Sequence, residues 1–205
     1  MTSAKMTQWD DEPIFNPSSQ TDFRFPPVFN PYHHMFFSNG YAYVQSTQEP
    51  FRPESEPHLA IFLPNLTNSD VGSPNAAGVF PGEIGAGPRA SIDAFWIDAF
   101  SAYMGCDNEG PGDCTVTISG YKFDDAMEVE VAAVRQNATL PACPGFMNCE
   151  LSPVEFTDEF RGLSGIQFEA YVNGSVPRIF LLDNLSMGWA NNSCAAGLLR
   201  QRSRK

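Results

Sequence analysis

Acidic side chains near both ends of the chain are the residues best suited to hold a metal ion. Asp10 and Asp11 lie near the start, and Asp183 lies in the last strand-like segment. Calcium takes about six to eight oxygen ligands from carboxylates, amide side chains and backbone carbonyls. If the first and last strands are neighbours, these carboxylates meet, and Asn184 adds an amide oxygen. We expect a structural calcium ion there; the alternative is that these acids are simply solvated.

Aromatic side chains form the second set with recognisable chemistry. The 17 Phe, 6 Tyr and 3 Trp exceed what alternating strands need to fill an interior. An aromatic platform beside polar groups suits sugar rings, whose C–H faces are apolar and whose hydroxyls need partners. The alternative for each ring is that it fills the core. The candidate ligand-binding residues are Tyr32, Tyr41, Tyr43, Trp96 and Trp189.

Catalytic motifs are missing from the sequence. It contains no G-x-S-x-G, H-E-x-x-H, P-loop or dinucleotide fingerprint. The glycine-rich run 82–88 has no strand-to-helix context, so we interpret it as a loop. Glu128 and Glu130 have the spacing of a carboxylate pair on one strand face, but a solvated surface explains them better. We expect no catalytic residue and no organic cofactor.

Five cysteines divide into two close pairs and one single residue. Cys106 and Cys114 flank a tight acidic turn, and Cys143 and Cys149 flank another short loop. Each pair suits a local disulfide between strands. Zinc is the weaker interpretation, because the spacings are wider than those of zinc sites and no histidine lies nearby. Cys194 is left as a free thiol or an intermolecular bridge.

Cysteines and glycosylation motifs together favour an oxidising, secretory compartment. Motifs of the form N-x-[ST] begin at Asn65, Asn137, Asn173, Asn184 and Asn191. No basic segment followed by an apolar run is visible at the start, so no signal peptide can be recognised. We interpret the start as truncated and expect a secreted, extracellular protein. The alternative is an intracellular protein whose motifs are unused.

The charge distribution argues against nucleic acid as a partner. The chain has 24 Asp+Glu and 12 Lys+Arg, a formal net charge of −12. Four of the basic residues stand in the last six positions, so residues 1–199 carry 8 basic and 24 acidic side chains. Such a surface repels phosphate backbones. No apolar stretch approaches the length of about 18 residues that spans a membrane, so we expect no membrane span.

Alternation of apolar and polar residues predicts an all-β fold. A turn at Asn173 joins the strand-like segments 166–172 and 178–189, and segments 115–123 and 127–135 alternate in the same way. About eight strands result, with no convincing helix. Since each strand shows one apolar face, we predict a two-sheet antiparallel sandwich with jelly-roll topology. An immunoglobulin-like sandwich is the alternative.

The length of 205 residues suits one domain with two extensions. Residues 1–35 are rich in proline and aromatic residues, and we expect an extended lead-in packed on the body. Residues 36–192 form the β-sandwich domain. Residues 193–205 form a C-terminal tail that is basic at its end.

Several segments together resemble a family of uncharacterised, mostly secreted fungal proteins. They are Gly82–Arg89, Ala94–Trp96, Gly105–Asn108, Leu140–Phe146 and Asp183–Gly197. These proteins are similar in outline to jelly-roll modules of the carbohydrate-binding kind, in which an acidic residue near each end holds a structural calcium ion. The resemblance implies Asp10 or Asp11, together with Asp183, as calcium ligands. Such modules close on Asp-Asp, whereas this chain has Asp183-Asn184.

We therefore expect a secreted, disulfide-bonded and glycosylated module that binds carbohydrate or cell-wall material without catalysing a reaction. The alternative is an enzyme or accessory protein of a fungal secondary-metabolite pathway, with an aromatic-lined pocket for a small hydrophobic ligand. A structural or host-interaction protein is the third possibility. A shallow binding face favours the first, and a closed pocket with a perturbed acid or histidine favours the second.

Overall fold

Twelve strands make up two antiparallel sheets in the part of the chain that the structure describes. The structure is a computed structural model, and it describes residues 5–7, 9–12, 25–45, 50–66 and 78–203. The strands are β1 (Lys5–Thr7), β2 (Phe36–Phe37), β3 (Tyr41–Gln45), β4 (His58–Phe62), β5 (Glu83–Gly85), β6 (Ile97–Cys106), β7 (Cys114–Asp124), β8 (Val129–Leu140), β9 (Ser152–Glu155), β10 (Gly165–Val172), β11 (Val176–Pro177) and β12 (Phe180–Trp189). The α-helix α1 spans Cys194–Arg202, and short 3-10 helices span Pro64–Leu66, Gly87–Arg89, Asp93–Phe95 and Pro144–Phe146.

The two sheets pack against each other as a β-sandwich. The first sheet has the order β3-β4-β12-β6-β9, with β1 also paired to β12. The second has the order β2-β5-β10-β7-β8, with β11 also paired to β10. All of these pairings are antiparallel. The predicted all-β sandwich is confirmed, and the jelly-roll connectivity stays a prediction.

The main hydrophobic core lies between the two sheets. The alternation on β10 buries Ile166, Phe168, Ala170 and Val172, as predicted. They join Phe180 of β12 and buried residues of both sheets in one cluster. A large apolar side chain gains about 2 kcal/mol by full burial. This interface therefore fixes the orientation of β10, and with it the direction in which the polar residues of β10 point.

Both predicted disulfides are present. Cys106 and Cys114 are bonded with their Cα atoms 6.4 Å apart, and Cys143 and Cys149 with theirs 5.6 Å apart. The first bond joins the end of β6 to the start of β7 and so crosslinks the two sheets. The second closes a loop that packs on a separate apolar cluster. Cys194 is unpaired and exposed.

The turn at Asn173 does not pair the two alternating segments with each other. It forms a short hairpin between β10 and the two-residue strand β11, and the chain then crosses to β12 in the other sheet. The two alternating segments are strands, but they are not neighbours.

Helix α1 is a second difference from the sequence prediction. Ser193 caps it by accepting a hydrogen bond from the backbone N–H of Ala196 over 3.2 Å. Arg200, counted above with the basic tail, is only 8% exposed and stacks over the Trp189 ring at 4.6 Å. Its guanidinium also donates to the Ala94 carbonyl oxygen. The segment after the sandwich is therefore anchored on the body by a buried cation.

Parts of the predicted extensions lie outside the described residues. In the lead-in 1–35 these are residues 1–4, 8 and 13–24, and in the tail they are Arg204 and Lys205.

Candidate functional site

A cleft of about 160 Å³ opens at the edge of the second sheet. Its lining combines three prolines, two aromatic rings and two charged side chains. These residues, with one alanine, are Phe62, Pro64, Pro81, Glu169, Ala170, Tyr171, Pro177 and Arg178. A concave surface with a few converging polar groups is the usual form of a small-ligand site.

The cleft lies where β10 changes its neighbouring strand from β5 to β11. Strand β5 pairs with β10 at Gly165–Gln167, and β11 pairs with it at Tyr171–Val172. Residues 169–171 line the cleft where one neighbouring segment gives way to the other. Pro81 and Pro177 stand on either side, and neither has a backbone N–H to offer there.

Tyr171, Glu169 and Arg178 supply the polar groups of the cleft. Tyr171 and Glu169 are two positions apart on β10, so their side chains leave the same face of the sheet. The Tyr171 hydroxyl donates to Oε1 of Glu169 over 3.0 Å, and burial, then this carboxylate, raise the pKa of Tyr171. Arg178 is exposed and makes no ion pair within the described ranges. Its N–H groups are therefore available to a ligand.

Polar residues continue from the cleft across the outer face of the second sheet. Glu169 lies opposite Thr117, which in turn lies opposite Asn137. In the next row Tyr171 lies opposite Thr115. The Thr117 hydroxyl donates to Oδ1 of Asn137 over 3.1 Å. The cleft thus opens onto a strip of hydroxyl and amide groups, which we call the polar strip (Thr115, Thr117 and Asn137).

Three of the five aromatic residues predicted to bind a ligand are buried. Tyr41 lies in the core, and its hydroxyl donates to the Gly82 carbonyl oxygen over 2.8 Å. Tyr43 is buried and packs edge-on against His58. Tyr32 is buried and stacks on the neighbouring His33. These rings fill the interior, which was the alternative interpretation for each of them.

The two tryptophans are half-buried and engaged in internal contacts. Trp96 donates its ring N–H to the Ala90 carbonyl oxygen over 2.6 Å, and Trp189 lies under Arg200. The five predicted residues therefore do not share one exposed face. Tyr171 and Glu169 were missed as site residues, although their positions on the polar side of β10 were visible in the alternation.

The predicted cation site centres on an irregularity in β12. The pairing of β12 with β6 shifts between Asp183 and Ser186, and Asn184 has a φ of +47°. Asp183 is fully buried, and its oxygens accept the backbone N–H groups of Ser55 over 2.9 Å and of Asn184 over 2.7 Å. Burial raises the pKa of Asp183 to about 6. The carboxylate is held in place by backbone donors from a distant loop.

Asp10 lies near Asp183, so that each end of the chain contributes one carboxylate. The Ser55 side chain bonds both carboxylates, and the Asp10 charge adds to the upward shift in the pKa of Asp183. Burial raises the pKa of Asp10, while hydrogen bonds from the His58 backbone and the Ser55 side chain oppose that shift. Oδ1 of Asp10 is buried and has no hydrogen-bond partner among the described residues. A buried acceptor without a donor indicates an occupant such as water or a cation.

Asp11 points elsewhere. It accepts hydrogen bonds from the Tyr32 hydroxyl and from Nε2 of His33, the latter over 3.1 Å. Burial alone would raise the pKa of Asp11, but these hydrogen bonds and the His33 charge lower it. Of the two adjacent acids, Asp10 is therefore the one beside Asp183.

The oxygen donors around Asp10 fit a calcium ion in their chemistry. Asp10 and Asp183 supply carboxylates, Asn184 an amide oxygen and Ser55 a hydroxyl, and the Ser55 hydroxyl lies 3.1 Å from Oδ1 of Asn184. In the ranges that the structure describes, no group of three or more His, Cys, Asp or Glu side chains is arranged to hold a metal. An ion here would depend on neutral oxygens for most of its ligands.

The five glycosylation motifs differ in accessibility. Asn65, Asn137 and Asn173 are exposed, and Asn191 is half-buried. Asn184 is only 7% exposed, and its side-chain oxygen already accepts a hydrogen bond. It is the least accessible of the five in the folded protein.

A buried carboxyl pair lies close to the cleft, and it is not the pair that the sequence suggests. Glu128 lies in the turn before β8 with a φ of +56°, so Glu128 and Glu130 do not sit together on one strand. Glu130 instead faces Glu83, which is fully buried on β5. Burial, and then Glu130, raise the pKa of Glu83 to about 8. The segment interpreted as a glycine-rich loop is therefore a strand that carries an acid.

One known protein family matches nearly the whole chain. A family described as "Domain of unknown function (DUF7371)" matches residues 2–200. The chain belongs to the DUF7371 family. The matched range includes both sheets, the cleft, the Asp10–Asp183 site and most of α1. All of these features are therefore parts of one DUF7371 domain.

Other comparisons add little to the DUF7371 assignment. A crystal structure of a DUF4465 family protein from Bacteroides caccae ATCC 43185 is similar to this chain with a TM-score of 0.44 and 12% sequence identity, and 73% of each chain is covered. That similarity is too low to support an argument. No curated protein matches the chain. Among the described residues, no helix is both long enough and apolar enough to cross a membrane.

Proposed function

We propose that this DUF7371 domain binds carbohydrate or cell-wall material through the cleft at the edge of its second sheet, without catalysing a reaction. The observation that carries the proposal is the grouping of the Tyr171 ring with Glu169 and Arg178 in one small open cleft. A sugar ring packs its C–H face on an aromatic ring and needs partners for its hydroxyls. Tyr171 supplies the ring, Glu169 an acceptor and Arg178 several donors.

The size of the cleft favours a sugar unit over a larger hydrophobic ligand. Its volume of about 160 Å³ is below the roughly 300–1,000 Å³ of sites for drug-sized molecules. One sugar unit of a polymer can enter it, while neighbouring units lie along the polar strip. An accessory protein that holds a polyketide-like molecule needs a closed aromatic cavity, and this open, proline-walled cleft is a poor match for that role.

A structural calcium ion between Asp10 and Asp183 is a second part of the proposal. The unpartnered Oδ1 of Asp10 supports it. When bound, the ion would neutralise two buried carboxylates and tie the N-terminal segment to β12 and to the loop around Ser55. We assign it no direct role at the cleft.

Secretion and glycosylation complete the proposal. The two disulfides support an oxidising compartment, and three of the glycosylation motifs are exposed. Asn137 lies on the polar strip, two strands and so about 10 Å from Glu169. A glycan at that position would compete with a polymer for the same face.

Retention of the oxidised protein on insoluble chitin, β-glucan and cellulose tests the binding proposal. We expect retention by at least one polymer and a loss of about tenfold or more in Tyr171→Ala, because stacking is removed. Tyr171→Phe keeps the ring and separates stacking from the hydroxyl contact. Phe146→Ala removes an exposed ring that does not line the cleft and serves as the matched control, with retention unchanged. Equal retention of Tyr171→Ala and wild type would contradict the proposed site.

A further inference from the structure

Glu83 lies in a recess of the outer face of the second sheet that two glycines create. Gly85 and Gly165 are directly opposite each other in the β5–β10 pairing. A Cβ on Gly85 would stand 2.7 Å from Oε1 of Glu83, and a Cβ on Gly165 would overlap the same oxygen. The two missing side chains thus make room for one carboxyl group. Any side chain at either position would displace it.

Glu83 and Glu130 meet as two hydrogen-bond acceptors, so a proton or a cation must lie between their carboxyl groups. Oε1 of each is buried, and no N–H or O–H group of the described residues reaches it. Two ionised carboxylates can only accept hydrogen bonds and repel each other, whereas a single shared proton makes the contact a hydrogen bond. Burial, then Glu130, raise the pKa of Glu83 to about 8. Burial also raises the pKa of Glu130, but its hydrogen bonds with Ser164 and Glu83 oppose that shift. Glu83 therefore carries the proton, and its O–H donates a hydrogen bond to the Glu130 carboxylate.

The same carboxyl group holds the segment that precedes β5, residues 78–82, which we call the strap. Oε2 of Glu83 accepts the backbone N–H of Phe80 over 2.6 Å. The Phe80 ring, although partly exposed, packs on the Tyr121 ring with centroids 5.1 Å apart. The Pro81 carbonyl oxygen accepts a hydrogen bond from Nε2 of Gln167 over 2.8 Å. Because Pro81 is also a wall of the cleft, the strap connects the carboxyl pair to the cleft.

We propose that Glu83 and Glu130 form a one-proton latch that fixes the strap on the second sheet, and that loss of this proton loosens the strap and with it Pro81, a wall of the cleft. With both carboxylates ionised in the recess, their repulsion is relieved only if Glu83 moves, and its bond to Phe80 moves with it. The latch rests on the glycine recess, on the unpartnered Oε1 atoms of the two acids and on the hydrogen bond from Phe80. Its effect on ligand binding rests on the proposed function.

Neighbouring charges do not cancel the repulsion between the ionised carboxylates of Glu83 and Glu130. The titratable groups that face Glu83 from adjacent elements, directly or through Tyr121, are Tyr41, Tyr121, Glu130, Glu169 and Arg135. Burial raises the pKa of both tyrosines, so they stay neutral where the latch titrates. Within the described ranges no cation forms an ion pair with Glu83. The proton is therefore present below about pH 8 and lost above it.

Amide hydrogen exchange at Phe80 across about pH 6 to 10 tests the latch without any ligand. After correction for intrinsic base catalysis, the protection factor of wild type should fall about tenfold per pH unit above about pH 8. Glu83→Gln is a permanent mimic of the protonated state, since its amide donates to Glu130 and its oxygen accepts from Phe80. Its protection should stay constant. Glu128→Gln, which removes an exposed carboxylate nearby, should follow wild type.

Identical profiles of wild type and Glu83→Gln would overturn the latch. If Glu83→Gln does not fold, Glu130→Gln serves instead, and the alkaline loss of protection should disappear in it because an ionised Glu83 then meets no second carboxylate. Recovery of protection at alkaline pH on addition of calcium or manganese would show that a cation fills the gap, which also overturns it. Polysaccharide retention measured over the same pH range separates the two proposals. A protein that retains no polymer but shows the pH-dependent exchange has a latch and lacks the proposed function.

Discussion

Ser55 donates its backbone N–H to Oδ2 of Asp183 over 2.9 Å, although 128 residues separate the two in sequence. The Ser55 side chain also bonds Asp10. Three distant segments of the chain therefore meet at one buried carboxylate. An acceptor in this position stabilises the fold because it satisfies backbone donors that would otherwise be buried alone.

Asp183→Ala should make the protein less stable and insensitive to calcium. Loss of the acceptor leaves buried N–H groups unsatisfied, which costs about 3 kcal/mol. In wild type, calcium at about a hundredfold excess over its Kd should raise the Tm by about 5 to 10 °C relative to chelator. Thermal unfolding with calcium and with chelator checks both points. Asp11→Ala is the matched control and should keep the calcium response. Equal melting of wild type in both conditions would contradict the ion.

The stability of the protein should fall as pH rises from about 4.5 to about 8. The pKa of Glu83 is raised in the folded state to about 8, so the folded protein binds more protons than the unfolded chain within this window. The contribution is on the order of 5 kcal/mol. Urea unfolding at several pH values measures it, and Glu83→Gln should remove the slope between about pH 7 and 8, above the raised pKa values of Asp183 and Glu12. A slope that Glu83→Gln leaves unchanged would assign the pH dependence to other groups.

Arg200→Ala should detach helix α1 from the sandwich. The guanidinium stacks on Trp189 and donates to the Ala94 and Asn191 carbonyl oxygens, and its loss should cost about 2 to 3 kcal/mol. Hydrogen exchange should rise across α1 and remain unchanged in β10. The exposed Arg202→Ala is the control and should match wild type. Protection of α1 that survives in Arg200→Ala would show that other contacts hold the helix.

Removal of a glycan at Asn137 should increase retention on the polymer that the protein binds. The glycan and the polymer would share the polar strip, so Asn137→Gln expressed in a glycosylating host frees that face. Asn191→Gln removes a motif just before α1, away from the residues that line the cleft, and serves as the control for glycosylation in general. An equal change in retention in both variants would show that the polar strip is not part of the binding face.

The sequence predicts the sandwich well because its strands are long and alternate clearly. In β10 the inward residues Ile166 and Phe168 are buried as expected, and the same alternation places Tyr171 on the outer face. The short strand β5 was missed, since Glu83 and Ile84 stand among glycines and only pairing with β2 and β10 makes them a strand. Composition gives no local signal of such a pairing.

The candidate sites were harder to predict because they depend on contacts between distant segments. Tyr41 and Tyr43 have the composition of an exposed platform, but both are buried where β3 packs on β4. Glu83 and Glu130 are 47 positions apart in the sequence and lie on β5 and β8, which β10 and β7 separate in the second sheet, so no local pattern predicts their contact. Asp10 and Asp183 could be proposed in advance only because neighbouring terminal strands are a common feature of such folds.

Backbone amide shifts recorded by NMR during titration with soluble chitin and β-glucan oligosaccharides test the central claim most directly. Binding at the cleft should move the signals of residues 169–171 and 178 first, with smaller changes along the polar strip. Tyr171→Ala should abolish these changes while leaving the rest of the spectrum intact. An absence of shifts with every oligosaccharide, or shifts confined to the surroundings of Trp96 and Trp189, would contradict the cleft as the carbohydrate site.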